Sequence, residues 1–207
     1  MAHLKNSVLK GITGSIGELI IYEVDGATYV RSKPADYKDA KSRPQLNQRE
    51  KLILINDFLR PFKNLLLKTF VDPQGQKKPY LLAKSYNLKN GTKGYYPNLE
   101  IDYSKALICK GSLALPSLVK GSIKEDGILF EWENPNNANK TDTLIVMLRI
   151  KGQIYSDHKY TGIERSKKSY FWNFDIKYKA EDIYVWIAFR DSFETEISDS
   201  LFVTLTV

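Results

Sequence analysis

From residue 119 onward, apolar side chains recur at every second position. Ile128, Phe130 and Trp132 alternate with Leu129 and Glu131, and Leu144, Val146, Leu148 and Ile150 share another face. Ile183, Val185, Ile187 and Phe189 trace a third strand, and Leu201, Val203, Leu205 and Val207 a fourth. A period of two marks strands, because successive side chains point to opposite faces of a sheet. Adding residues 153–157 and 168–174 gives about seven short strands separated by Asn-Pro, Gly and Asp-Ser turns. That count and spacing predict an antiparallel β-sandwich of immunoglobulin or fibronectin type III character over residues 116–207. Trp132 suits such a core, although the paired cysteines of antibody domains are absent.

The first 115 residues read differently. Residues 18–24 and 27–32 alternate as strands around Asp25-Gly26, a pair that supplies the positive φ angles of a tight hairpin turn. A polar linker, residues 33–42, follows. Ser42-Arg43-Pro44-Gln45 then carries a helix start: a Ser cap, Pro in the first turn, and a Gln placed to reach back to the cap amide. Leu52, Ile55, Leu59, Phe62, Leu66 and Phe70 continue at spacings of three and four as one apolar stripe. Pro61 should kink this helix, and Asp72-Pro73-Gln74-Gly75 should end it. Residues 80–89 predict a shorter helix closed by Asn90-Gly91, with the glycine in a left-handed cap. Strands are expected at 99–103 and 106–113, with Pro116 closing an α+β module. The helical stripe is expected to pack on the hairpin and the 99–113 strands, with oligomerisation as the alternative use of that face.

Charge reinforces the division. Of 207 residues, 1–115 carry 19 Lys and Arg against 10 Asp and Glu, whereas 116–207 carry 12 against 14. Polyanion contact is therefore expected on the first half. The single cysteine, Cys109, excludes an intramolecular disulfide, and Ala106-Leu107-Ile108 before it argue for burial. No signal-peptide pattern opens the sequence and no run approaches a membrane span, so a cytoplasmic location is expected.

Reaction chemistry is sparse. His3 and His158 lie far apart, with His158 expected in a solvated turn, and no zinc-ligand spacing exists. The glycines at 11, 14 and 17 fit neither a dinucleotide fingerprint nor a P-loop. Glu131 with Glu133, and Glu194 with Glu196, would each share a strand face, and Glu181 adjoins Asp182; solvent-facing sheet positions account for them. No catalytic residue, cofactor or metal is expected. The candidate contact residues are a basic cluster, Arg31, Lys33, Lys38, Lys41, Arg43, Arg49 and Lys51, interleaved with Tyr29 and Tyr37 and diluted by Asp36, Asp39 and Glu50. Trp132, Trp172 and Trp186 are weaker candidates for stacking on a sugar.

Several stretches of the sequence carry a recognisable pattern. They are Gly14-Ser15-Ile16-Gly17 leading to Tyr29-Val30-Arg31, then Gln45-Leu46-Asn47-Gln48-Arg49, then Phe58-Leu59-Arg60-Pro61-Phe62. Further on come Ser85-Tyr86-Asn87-Leu88-Lys89-Asn90, Gly94, Tyr95, Pro97, Ile101-Asp102-Tyr103-Ser104 and Lys110-Gly111-Ser112-Leu113. These stretches resemble a bacterial family of unknown function, DUF6266, a likeness that covers most of residues 9–116, with the remainder similar in pattern only. It implies no activity, ligand or catalytic residue.

The expectation is a non-enzymatic structural or assembly protein, a homo-oligomer or subunit of a larger, phage-like particle, built from modules 1–115 and 116–207. The alternative is a nucleic-acid-binding accessory protein using the basic segment 31–51. Self-association or a protein partner is expected, and a membrane is not.

Overall fold

Asp25 and Gly26 take φ angles of 51° and 77°, the mirror-image turn their sequence predicts. The computed structural model describes residues 2–5, 8–9, 11–34, 39–70, 75, 77–153, 156–173 and 177–206. Two compact units make up the chain, Met1–Lys41 and Ser42–Val207. In the first, strands β1 (Ala2–Leu4), β2 (Gly14–Ile16), β3 (Leu19–Val24) and β4 (Ala27–Ser32) form one antiparallel sheet in the order β1-β4-β3-β2.

The second unit begins with helix α1 (Arg43–Leu59). The amide of Ser42 donates to Gln45 Oε1 at 3.1 Å, the reach-back bond read from the sequence. Pro61 sits in a 3-10 turn, Arg60–Phe62, which joins α1 to α2 (Lys63–Thr69). Pro thus divides the helix without interrupting its apolar stripe, since Ile55, Leu59, Phe62, Leu66 and Phe70 are all buried. Helix α3 (Pro79–Asn90) and a small hairpin, β5 (Thr92–Lys93) and β6 (Glu100–Ile101), complete this part. Eight strands follow: β7 (Leu118–Lys124), β8 (Gly127–Glu133), β9 (Thr143–Ile150), β10 (Ser156–Glu164), β11 (Ser169–Asn173), β12 (Ile183–Arg190), β13 (Leu201–Val203) and β14 (Leu205–Thr206). They form two sheets, ordered β10-β9-β12-β13 and β11-β8-β7-β14, in which only the β14–β7 pairing is parallel. The protein is therefore mixed α+β and mostly β, with one long helix and several antiparallel sheets.

Strands β9 and β12 are buried on both faces. Leu144, Val146, Leu148 and Ile150, with Ile183, Val185, Ile187 and Phe189, join β8 and Trp172 of β11 in one core. Ile145, Met147, Trp186 and Ala188 point the other way, into a core shared with Ile55, Phe58, Phe62, Leu66 and Ile108. This is why both strands read as near-continuous apolar runs, each fully buried large side chain contributing about 1.5–3 kcal/mol. The change of sequence character near residue 115 falls inside the second unit, where the helices and the strands beyond it share that core.

Several local expectations are corrected. Residues 106–113 are not a strand of a ladder: the amides of Leu107 and Ile108 donate to Asn87 Oδ1 and Ser200 Oγ, each at 2.9 Å, and Lys110 donates to the Thr69 carbonyl at 2.9 Å. Side chains, a helix end and the backbone of residues 197–200, which meets Leu113 in a single isolated bridge, satisfy this backbone in place of a strand ladder. Of residues 99–103, only Glu100–Ile101 forms a strand. Gly91 is right-handed, with φ −91°; a Cβ there would lie 2.7 Å from Asn87 Oδ1, so close approach explains the glycine. The run 201–207 is two strands, β13 pairing with β12 and β14 with β7. His158 lies half-buried on β10 opposite Met147, not in a solvated turn, and burial lowers its pKa. Residues 154, 155, 174 and 207 of the expected strands, and 71–74 of the expected helix end, lie outside the described residues. No helix among the described residues is long and apolar enough to cross a membrane.

Candidate functional site

The cations singled out by sequence are divided between the two units. Arg31, Lys33 and Lys41 are exposed on the first unit, and Lys38, with Asp36 and Tyr37, lies outside the described residues. Arg43, Arg49 and Lys51 are on α1, where a turn of about 100° per residue separates them unequally. Arg43, Asn47 and Lys51, at i, i+4 and i+8, form one row, whereas Arg49 projects about 240° round the helix from Arg43. Glu50, seven residues after Arg43, lies beside the row.

Asn47 ties this row to a second element. The tip of the β5–β6 hairpin turns at Tyr95–Asn98, where the Asn98 amide donates to the Tyr95 carbonyl at 2.8 Å and Tyr96-Pro97 is a cis peptide. Gly94, with φ 79°, sets up the turn, and a Cβ there would run into the Asn98 carbonyl. The Tyr96 amide donates to Asn47 Oδ1 at 2.9 Å. Arg43, Pro44, Asn47, Tyr95 and Tyr96 consequently line an open cleft of about 350 Å³. Tyr95 is 82% exposed and Tyr96 40%, so two aromatic side chains stand at the surface beside a guanidinium. Such a cleft offers ring surface for stacking and a fixed charge for an anion.

A second cavity, of about 510 Å³, is lined by Lys68, Lys110, Tyr160, Arg190, Glu194 and Glu196 among others. Its charges are largely engaged within the protein. Arg190 Nη2 meets Glu194 Oε1 at 2.8 Å and its guanidinium stacks over Tyr160 at 4.6 Å. Lys110 lies 5.1 Å from the centre of the Tyr86 ring, and Ser112 Oγ donates to Glu196 Oε2 at 3.3 Å. Glu194 and Glu196 sit on the loop after β12, with Glu194 at φ 61°, and not on one strand face as expected.

In the first unit the register sets two unlike faces. Leu4, Ile16, Leu19, Ile21, Thr28 and Val30 share one, where Ile21 and Thr28 are buried and the Gly11 amide donates to Thr28 Oγ1 at 3.1 Å. The other carries His3, Tyr29 and Tyr22 in a cross-strand row with centroids 4.9 and 5.8 Å apart, and Arg31 lies 5.9 Å from the Tyr22 ring. Such pairs stabilise a sheet by about 0.2–1 kcal/mol each.

Other candidates are withdrawn into the core. Trp132, Trp172 and Trp186 are 2%, 1% and 0% exposed, which removes them as surfaces for a sugar. Cys109 is fully buried, and burial pushes its thiol up to about 12. No cluster of three or more potential metal-ligating side chains occurs among the described residues. Nothing in the sequence marks Tyr95 and Tyr96 as site residues, because the bond from Tyr96 to Asn47 that ties them to α1 spans 49 positions.

No curated protein and no solved structure matches the chain. The profile of a family described as of unknown function, DUF6266, matches residues 11–204, extending the likeness seen in the first half through nearly all of the second. The chain belongs to the DUF6266 family.

Proposed function

We propose that the protein is a non-enzymatic assembly component that self-associates through its N-terminal sheet and carries a sandwich of immunoglobulin or fibronectin type III character. One observation carries the reading: among the described residues of the first unit only Ile21 and Thr28 are buried, whereas Val8, Ile12, Ile16, Leu19 and Val24 are 46–98% exposed. Ordering a residue costs about 1–2 kcal/mol of backbone entropy, and a small sheet needs an apolar cover to offset it. A second copy fits that need. Residues 1–41 hold six Lys and Arg against five Asp and Glu, so like units meet with little repulsion. The outer edge of β2, Gly14–Ile16, is three exposed residues long and suits strand pairing with its counterpart.

Strand order supports the sandwich. Counting from β7, the first, second, fifth and eighth strands share one sheet and the third, fourth, sixth and seventh the other. Immunoglobulin sandwiches likewise divide A, B and E from C, F and G; the two further strands here are the fourth, beside the third, and the eighth, parallel to the first. Sandwiches of this kind serve as adhesion and assembly modules, an argument by fold analogy. The Trp typical of the third strand is not there; Trp132 lies on the second and Trp186 on the sixth.

Light scattering on a sizing column, using nuclease-treated protein, tests the proposal. A discrete mass at a multiple of 23.8 kDa is expected. Ile16→Arg with Leu19→Arg should reduce it to the monomer while the far-ultraviolet circular dichroism spectrum stays unchanged. A wild-type monomer at high concentration would overturn the reading.

A further inference from the structure

We infer that the cleft between the start of α1 and the β5–β6 hairpin tip binds single-stranded nucleic acid, with a base stacked on Tyr95 and phosphates along the Arg43–Lys51 row. The inference uses no residue of the first unit and stands apart from the self-association reading.

Three observations meet at this place. First, Tyr95 is 82% exposed although its backbone is fixed by the turn to Asn98, and the Tyr96 amide is bonded to Asn47. A ring held out to solvent on an ordered frame stacks without first paying the entropy of ordering. Second, Arg43 and Lys51 stand on the same side of α1 as Asn47, about 12 Å apart along the axis at 1.5 Å per residue. One mononucleotide phosphate reaches only one of them; a strand reaches both. Third, the charge belongs to this unit. Residues 42–207 hold 25 Lys and Arg against 19 Asp and Glu, so the long-range field around the cleft favours a polyanion.

The shape of the site selects the single strand. Tyr95 and Tyr96 offer ring surface to an unstacked base, and a duplex keeps its bases within the helix. Glu50, beside the row, is the carboxylate that opposes the two cations.

The test is fluorescence anisotropy of a labelled 15-residue oligothymidylate titrated with the full-length protein at several salt concentrations. Two phosphate contacts predict a slope of log affinity against log salt near −1.4, about −0.7 for each contact on a single strand. Tyr95→Ala should weaken binding about tenfold or more and leave the slope unchanged. Arg43→Gln and Lys51→Gln should each flatten the slope by about 0.7, and Glu50→Gln should tighten binding. All four positions lie on the surface or partly so, and matched thermal melts establish that the variants fold. The Ile16→Arg, Leu19→Arg protein should bind with the same slope, which separates this site from self-association. Absence of binding at low salt, equal affinity for the matching duplex, full competition by inorganic phosphate, or indifference to Tyr95→Ala would each overturn the inference.

Discussion

Asp142 and Arg165 form an ion pair, Oδ2 to Nε 3.5 Å, between side chains 2% and 0% exposed. Burial pushes the Asp142 carboxyl up and the Arg165 guanidinium down, against their mutual attraction. The guanidinium stacks 3.9 Å from the centre of the Phe189 ring and donates from Nη2 to the Ala114 carbonyl at 2.8 Å. The Arg165 carbonyl in turn accepts from Trp132 Nε1 and Asn134 Nδ2. A pair like this adds little net stability, because desolvation consumes most of the attraction. Asp142→Ala, which leaves a buried charge alone, should cost about 3–5 kcal/mol. Asp142→Leu combined with Arg165→Met should cost less than either single change. Urea unfolding in a double-mutant cycle measures this, and additive losses would show that the two side chains act independently.

The parts of the fold that were legible in sequence are those written locally. Asp25-Gly26 fixes its hairpin, and Ser42, Pro44 and Gln45 fix the start of α1, through contacts only a few residues long. The segment 106–113 is not legible in the sequence because partners of its backbone, among them Asn87 and Ser200, stand 20 and 92 residues away. The break between β13 and β14 is likewise set by which sheet edge is open, Val203 pairing with Val185 and Leu205 with Gly121. At the cleft the cations were visible as residue types, and helix geometry then joins Arg43 to Lys51 and sends Arg49 elsewhere. The tyrosines were not visible, since nothing near Tyr95 in the chain points to α1.

Asn87 is the clamp for the 106–109 segment. Its Nδ2 donates to the carbonyls of Ala83 and Leu107, both at 2.9 Å, and its Oδ1 accepts from the Leu107 amide at 2.9 Å. Asn87→Ala should orphan two buried backbone groups of Leu107, at about 1–3 kcal/mol each. Asn87→Asp keeps the acceptor for the Leu107 amide but sets a buried carboxylate against the carbonyls of Ala83 and Leu107, so it should cost at least as much as Ala. Amide hydrogen exchange at Leu107 should accelerate most in the Ala variant; an unchanged rate there would show that packing alone holds the segment.

Trp186 fills the centre of the core between the helices and β12, with ring centroids 5.4 Å from Phe202 and 5.8 Å from Phe58. Among the described residues its Nε1 has no hydrogen-bond partner, although it is buried. Trp186→Phe removes that unsatisfied group along with some volume, and the two effects oppose each other, leaving a change under about 1.5 kcal/mol. Trp186→Ala removes the same group but leaves a far larger cavity, and should cost about 3–5 kcal/mol. Denaturant midpoints of the two variants check the contrast. Equal losses would mean that the indole nitrogen is satisfied in solution.

Cys109 contributes to the alkaline pH dependence from the lowest pH, ahead of Tyr80, Tyr86, Tyr160 and Tyr170, whose hydroxyls burial also pushes up from 10.0. Its Sγ lies 3.6 Å from Met147 Sδ in the core. Burial pushes the thiol from 9.0 up to about 12, with Thr69 lowering it and Asp199 raising it to lesser degrees. A folded pKa above the unfolded value means stability fully present below pH 9 and lost as pH rises toward 12, because the unfolded chain ionises first. The loss should approach about 1.4 kcal/mol per pH unit once the unfolded thiol is ionised. Burial also pushes Tyr103 from 10.0 up to about 12, so its contribution begins a unit later. Cys109→Ala should therefore flatten the stability curve most between pH 9 and 10, where Tyr103 is nearly silent. The cavity the substitution leaves lowers stability equally at every pH and does not alter that slope. Urea midpoints from pH 8 to 10.5 read the difference, and parallel curves for the two proteins would place the alkaline loss on other groups.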